Sequence, residues 1–450
     1  MRVLHVPFCF YPDAVGGTEI YVEQLSHEQA RLGLEPMIAA PAAEDSSSTH
    51  AGLAVRRFAT TLQPVRLREL YDADGDSLAA HSFAALLARE RPQVVHFHAF
   101  HRAVSLRSVA AARQAGAATL FTYHLPTASC QRGTLLRWGR QVCDGLLLPS
   151  RCTSCTLHGL GMPQAAATLL GQLPRGVSDM VEASGRTGGL WTALQMRALV
   201  EARHDAVRGM LAQVDAVVAL CRWSQALLLR NGVAATKITL SPHGLADSSE
   251  QTAPSPQRPT SGPLRIAFVG RMYPIKGPDL LIKAVQGSLS DVQLDLYGYS
   301  QDEAGAQYTR SLHTLAGSDS RIAFHPALPN QQVRQRLSSY DLLAVPSQGL
   351  ETGPLVVLEA FAGGTPVLGS NLGGIAELVR DGVDGVLVEP ASEVAWRNAI
   401  TALSTDRSRV ATLRAGVRPP RRMAQVATEM LALYRRIQTL PRELLTAVGT

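Results

Sequence analysis

Glu351 and Glu359 stand eight positions apart in the stretch AVPSQGLETGPLVVLEAFAGGTPVLGSNLGGIAE, residues 344–377. In one helix that spacing would turn them roughly 80° apart, so they would not share a face. Pro354 separates them: it disfavours helix for Gly353 and suits the first helical position itself. The reading is a loop carrying Glu351, then a helix from Pro354 through Phe361 that holds Glu359 more than a turn inside. Between the two acids lie the leading backbone N–H groups of that helix, a natural phosphate site. One acid near a sugar, one near a ribose and phosphates between them describe a nucleotide-sugar pocket. Two glutamates at this spacing also recur by chance, and the spacing alone does not decide.

The neighbouring elements suit that chemistry. Leu342–Val345 reads as a short buried strand ended by Pro346-Ser347, and Thr365–Gly369 as the next strand after the stop at Gly363-Gly364. Strand, loop, helix and strand make the unit of a parallel sheet. Upstream, Leu264–Gly270 is a strand with Arg271 at its edge, and Lys276 precedes Gly277 five residues on. A guanidinium fork and an ammonium point charge at a strand-to-helix turn suit a diphosphate, although surface charge at a turn is the commoner reason for such a pair.

The whole string resembles the E-x7-E signature of the family 4 retaining glycosyltransferases, which have the GT-B fold. Glu351 and Glu359 match its two acids and Pro354–Ala360 the segment joining them. Gly364–Val367 and Gly373–Glu377 match the stretches that follow. The resemblance implies an α/β protein of two Rossmann-like domains facing across a cleft. It places Arg271 and Lys276 on the donor's phosphates, Glu359 on the ribose and Glu351 on the donor sugar, with Pro354 and Leu355 opening the helix against the substrate. It implies transfer that retains anomeric configuration, with no catalytic metal. His243 stands where the family commonly has Asn.

The first half supplies the facing wall. After the strand at Met1–Pro7 comes a loop ending in Gly16-Gly17, with Thr18 as a candidate helix cap and Met37–Ala40 as the second strand. This resembles the family's glycine loop, whose backbone approaches donor phosphates or acceptor; paired glycines are otherwise ordinary turn residues. No G-x-G-x-x-G follows the strand, so it is not a dinucleotide fingerprint. His98 and His124 fall at the C-terminal ends of the strands Val94–His98 and Leu120–His124, where open α/β sheets bind ligands. His124 resembles the family's histidine facing the donor sugar, and a hydrogen-bonded structural role is open for both. Cys130, Cys143, Cys152 and Cys155 could close a tetrahedral, structural zinc site or be ordinary thiols; an iron–sulfur cluster fits less well.

Composition sets the bounds. A chain of 450 residues, 46% apolar and 18% charged, is ordered and too long for one ordinary core. The domains expected are 1–247, acceptor-side, with a cysteine-containing insertion at about 125–210; a Ser/Pro-rich linker at 248–262; 263–417, donor-binding; and a C-terminal helix within 418–450 crossing back to the first domain. Net charge of +6 without a concentrated basic run argues against nucleic acid and leaves an anionic substrate or a lipid surface. The start reads as a strand and no apolar run is long enough to span a membrane, so a cytoplasmic protein with peripheral membrane contact is the expectation. The partners expected are a nucleotide-sugar donor and a sugar, lipid-linked or polysaccharide acceptor. The competing functions are a nucleotide-sugar epimerase on the same fold and a non-catalytic scaffold held by metal.

Overall fold

The computed structural model describes residues 1–13, 16–61, 75–246 and 262–440. The expected linker, save its last residue, and the end of the tail lie outside them. The first sheet is built from β1 (Arg2–Val6), β2 (Glu35–Ala42), β3 (Ser46–His50), β4 (Leu53–Ala59), β5 (Val94–Phe97), β6 (Ala118–Tyr123), β9 (Ala216–Ala219) and β10 (Ile238–Leu240), with a small hairpin of β7 (Leu136–Arg137) and β8 (Gln141–Val142) outside it. Its order is β10-β9-β6-β5-β1-β2-β4-β3, parallel except for β3 against β4. The second sheet comprises β11 (Leu264–Arg271), β12 (Val292–Tyr299), β13 (Ile322–His325), β14 (Leu342–Val345), β15 (Val367–Ser370) and β16 (Gly385–Val388). Its order is β13-β12-β11-β14-β15-β16, parallel throughout. Both Val94–Phe97 and Leu342–Val345 are buried along their whole length, and Leu342–Val345 accordingly reads as a continuous apolar run without alternation, whereas Val94–Phe97 carries one buried polar side chain, His96.

Strand order reverses in the first sheet between β1 and β5 and in the second between β11 and β14. Ligands of open α/β sheets sit outside the carboxyl ends of the strands at such a reversal. Arg271 ends β11, and the loop bearing Glu351 follows β14.

Two helix starts differ from expectation. Gly16, not Thr18, caps the helix Gly17–Arg31: its backbone is extended, and its N–H donates at 2.8 Å to the Glu19 carboxylate folding back from the first turn. Pro354 caps the helix Leu355–Ala362 from outside, with ψ at 124°, instead of occupying its first turn. The expected insertion carries the β7–β8 hairpin and then a run of helices ending in the long helix Gly189–Gln213. The C-terminal helix Met423–Gln438 does cross back. Met423, Val426, Met430, Tyr434 and Ile437 share a core cluster with Val3, Tyr21 and Leu25 of the first domain. Among the described residues, no helix is long and apolar enough to cross a membrane.

Candidate functional site

The turn after β11 and the loop after β14 are stapled together. The Gln348 N–H donates to the Ile275 carbonyl at 2.8 Å, and Gly277, at φ 71°, lies so close to the loop that a Cβ there would meet the Pro346 carbonyl at 2.1 Å. No other residue fits both the left-handed backbone and the contact. The staple brings Lys276 Nζ to 2.7 Å from Glu351 Oε2, with Ser347 Oγ donating to the other carboxylate oxygen. Burial opposes ionisation of Glu351. The charge and hydrogen bond of Lys276, the Ser347 hydroxyl and the charge of Arg271 outweigh it, and its carboxyl is held below the ordinary range. Arg271 donates to Gln301 Oε1 at 3.0 Å, and its charge also reaches Glu19 beneath the glycine loop.

Glu359 is different. It is buried on the helix Leu355–Ala362, 9% exposed, and desolvation alone raises its pKa to about 7. It lies four residues beyond Leu355, hence on the same helical face. That face looks at the first domain: a Cβ on Gly17 would stand 3.8 Å from Leu355 Cδ1.

The Glu351 loop is gripped from the first domain as well. Its carbonyl accepts from Trp223 Nε1 at 2.8 Å and from the Gly374 N–H at 2.7 Å. Thr352 Oγ1 donates to the His124 carbonyl at 2.9 Å, and a Cβ on Gly353 would meet the His243 ring at 3.1 Å. Glu377 accepts the N–H groups of Arg222 and Trp223 at 2.7 and 2.9 Å, joining the second domain to the first turn of the helix Arg222–Arg230. Gly374 must be glycine, since a Cβ would fall 2.6 Å from the Glu351 carbonyl. Thus Arg271, Lys276 and Glu351 come together, with Leu355 of the Glu359 helix facing Gly17 and with His124 and His243 on the opposing wall. Trp223 was not singled out in the sequence reading, and Glu377 entered it only as the end of the Gly373–Glu377 stretch, with no role of its own. The only signal was a helix start in one domain and an unexplained carboxylate in the other, with nothing to pair them.

The four cysteines line one cavity of about 30 Å³ beneath the β7–β8 hairpin. Cys155 Sγ accepts from the Trp138 N–H at 3.4 Å and donates to the Leu136 carbonyl at 3.7 Å. Among the described residues, the side chains placed to share a metal, with ligand atoms within 4.8 Å, are His5, His96 and His98. The cysteines do not gather that closely.

The chain is similar to known proteins in sequence and in fold. Residues 250–418 match the model for glycosyl transferases group 1, and residues 15–171 that for glycosyltransferase family 4. A D-inositol 3-phosphate glycosyltransferase of Xylanimonas cellulosilytica is 36% identical over 39% of this chain and 43% of its own. One of Nocardia farcinica is 37% identical over 32% and 34%. The chain therefore spans less than half the length of these curated relatives. In fold it is similar to sucrose-phosphate synthase from Thermosynechococcus elongatus, with TM-score 0.67 and 20% identity over 97% of this chain and 99% of that one. It is also similar to Anabaena HepE in complex with UDP and glucose, with TM-score 0.64 and 17% identity over 98% and 100%.

Proposed function

The chain belongs to the family 4 glycosyltransferases of GT-B fold, and from that premise we propose that it moves a sugar from a nucleoside-diphosphate sugar to an acceptor hydroxyl with retention. One observation carries the reading: Arg271, Lys276 and Glu351 converge at the strand reversal of the second sheet, beside the start of a helix whose leading amides suit phosphate. Arg271 and Lys276 stabilise the charge gathering on the departing diphosphate, the electrostatic contribution that usually dominates such catalysis. Glu359 accepts from ribose hydroxyls, Glu351 from the donor sugar, and Pro354 and Leu355 bring the amides to the phosphates. The acceptor hydroxyl enters from Gly16, Gly17 and His124, attacks the anomeric carbon on the face the diphosphate leaves, and passes its proton to that diphosphate. Basic side chains take the place of a catalytic metal.

Anabaena HepE, similar in fold and solved in complex with UDP and glucose, supports a nucleotide-sugar donor. The acceptor is a sugar, lipid-linked or polysaccharide hydroxyl reached on the cytoplasmic side, with peripheral membrane contact supplied by surface charge. A thermal-shift screen against UDP, GDP, ADP and CDP sugars tests the donor: one nucleotide raising the melting temperature by several degrees is expected, and none doing so would sink the reading. Turnover of the sugar nucleotide without any acceptor would favour the epimerase instead.

A structural zinc at Cys130, Cys143, Cys152 and Cys155 is a separate proposal. It requires Cys155 to give up its bonds to Trp138 and Leu136 and the four sulfurs to draw closer within the cavity they line. One equivalent of zinc per purified chain is expected, reduced in Cys152→Ser; metal-free protein whose melting ignores chelators would refute it.

A further inference from the structure

Behind His124 runs an unbroken file of hydrogen bonds. His124 Nε2 meets His98 Nδ1 at 2.9 Å, His98 Nε2 meets His5 Nδ1 at 2.9 Å, and His5 Nε2 meets Gln29 Oε1 at 2.8 Å. The Gln29 amide nitrogen donates to the Tyr434 hydroxyl at 3.0 Å. That hydroxyl meets His96 Nδ1 at 2.8 Å, and His96 Nε2 ends on Thr122 Oγ1 at 2.6 Å. Every member is buried, and one of them, Tyr434, sits on the C-terminal helix more than three hundred residues from His124. Burial lowers the pKa of His5 to about 4 and those of His96, His98 and His124 well below the ordinary value, so the rings are neutral.

A neutral imidazole carries one ring N–H and one lone pair. Each link of the file then has one donor and one acceptor, and the whole file runs in one direction or the other. Gln29 decides which, because its amide is the only member whose two ends are chemically different. Its carbonyl faces His5, so His5 donates from Nε2 and accepts at Nδ1. His98 donates from Nε2 to His5 and accepts at Nδ1, and His124 therefore donates from Nε2. A metal at His5, His96 and His98 would need lone pairs that these bonds already engage.

We infer that Gln29 and Tyr434, acting through His5 and His98, hold His124 as its Nε2–H tautomer, with Nδ1 left to accept a hydrogen bond from a ligand hydroxyl. His5, His98, Gln29 and Tyr434 are positioning residues, and the docking of the C-terminal helix sets the hydrogen-bonding sense of the cleft wall. The hydroxyl-bearing ligand rests on the glycosyltransferase reading, whereas the tautomer does not.

Nitrogen-15 histidine spectra of the full chain, with His124 assigned by comparison with His124→Gln, test the inference. The expected result is a single Nε2–H pattern for His124, replaced by a mixture of tautomers in Tyr434→Phe, where the amide is released to turn. Tyr21→Phe is the control. Tyr21 packs edge-on against His124 at 4.9 Å, its hydroxyl has no hydrogen-bond partner among the described residues, and its loss should leave the pattern unchanged. An Nδ1–H pattern in the wild type, or an unaltered one in Tyr434→Phe, overturns the inference. No donor or acceptor is present in this measurement, so a failed search for transferase activity would count against the function alone.

Discussion

Lys276→Ala is expected to lower kcat by about 10²–10³-fold, equivalent to about 2.7–4 kcal/mol of transition-state stabilisation. The ammonium is a quarter exposed and lies 2.7 Å from Glu351, which fits a cation held ready for a phosphate and parked meanwhile on a carboxylate. The same contact gives a competing account, in which Lys276 only steadies the Glu351 loop. The two separate on binding. If Lys276 serves the phosphates, Lys276→Ala should weaken a nucleoside diphosphate far more than the nucleoside itself. If it is only a brace, both should weaken equally. Stability should fall in either case by about 1–3 kcal/mol, because Glu351 loses its compensating charge. The ratio of the two affinities and the change in kcat therefore discriminate between the accounts, and melting does not. A wild-type kcat in the folded variant would remove Lys276 from the chemistry.

Why the pair itself could not be foreseen follows from its construction. Lys276 and Glu351 were each legible, one beside Gly277 at a strand-to-helix turn, the other ahead of Pro354, because glycine and proline mark backbone changes locally. Their contact depends on β11 and β14 being neighbours, and on the bond from Gln348 to Ile275 that closes the two loops on each other. Sheet order is long-range information that residue spacing does not carry. The same limit hid the Trp223 and Glu377 clasp and the file from His124 to Tyr434, whose members look like unrelated polar residues until β1, β5, β6 and the C-terminal helix are placed. The sequence did place the C-terminal helix correctly, since Met423, Val426, Met430 and Leu433 keep helical spacing along one buried face. Helix caps were less legible: Thr18 has the right chemistry, yet Gly16 takes the extended backbone and Glu19 satisfies its N–H.

Glu359→Gln is the second large effect, and pH separates its causes. With a folded pKa of about 7 against about 4.5 unfolded, the native protein holds a proton that the unfolded chain has lost. Stability from this group is thus fully present below about pH 4.5 and is lost as pH rises through 7, by about 3 kcal/mol in total. Glu359→Gln should flatten that decline and leave the protein more stable at pH 8. Binding should move the other way. Ribose hydroxyls donating to the carboxylate favour its charged form, so donor binding at pH 6 should release close to one proton, seen as a buffer-dependent binding enthalpy. Wild-type affinity should fall about tenfold per pH unit below 7. Gln accepts less strongly and carries no charge, so the variant should bind the donor nucleotide about 10–100-fold more weakly at pH 8 and release no proton. A Glu359→Gln protein that is stabilised but binds as tightly as the wild type would show that the acid is a buried structural group and that the ribose is held elsewhere.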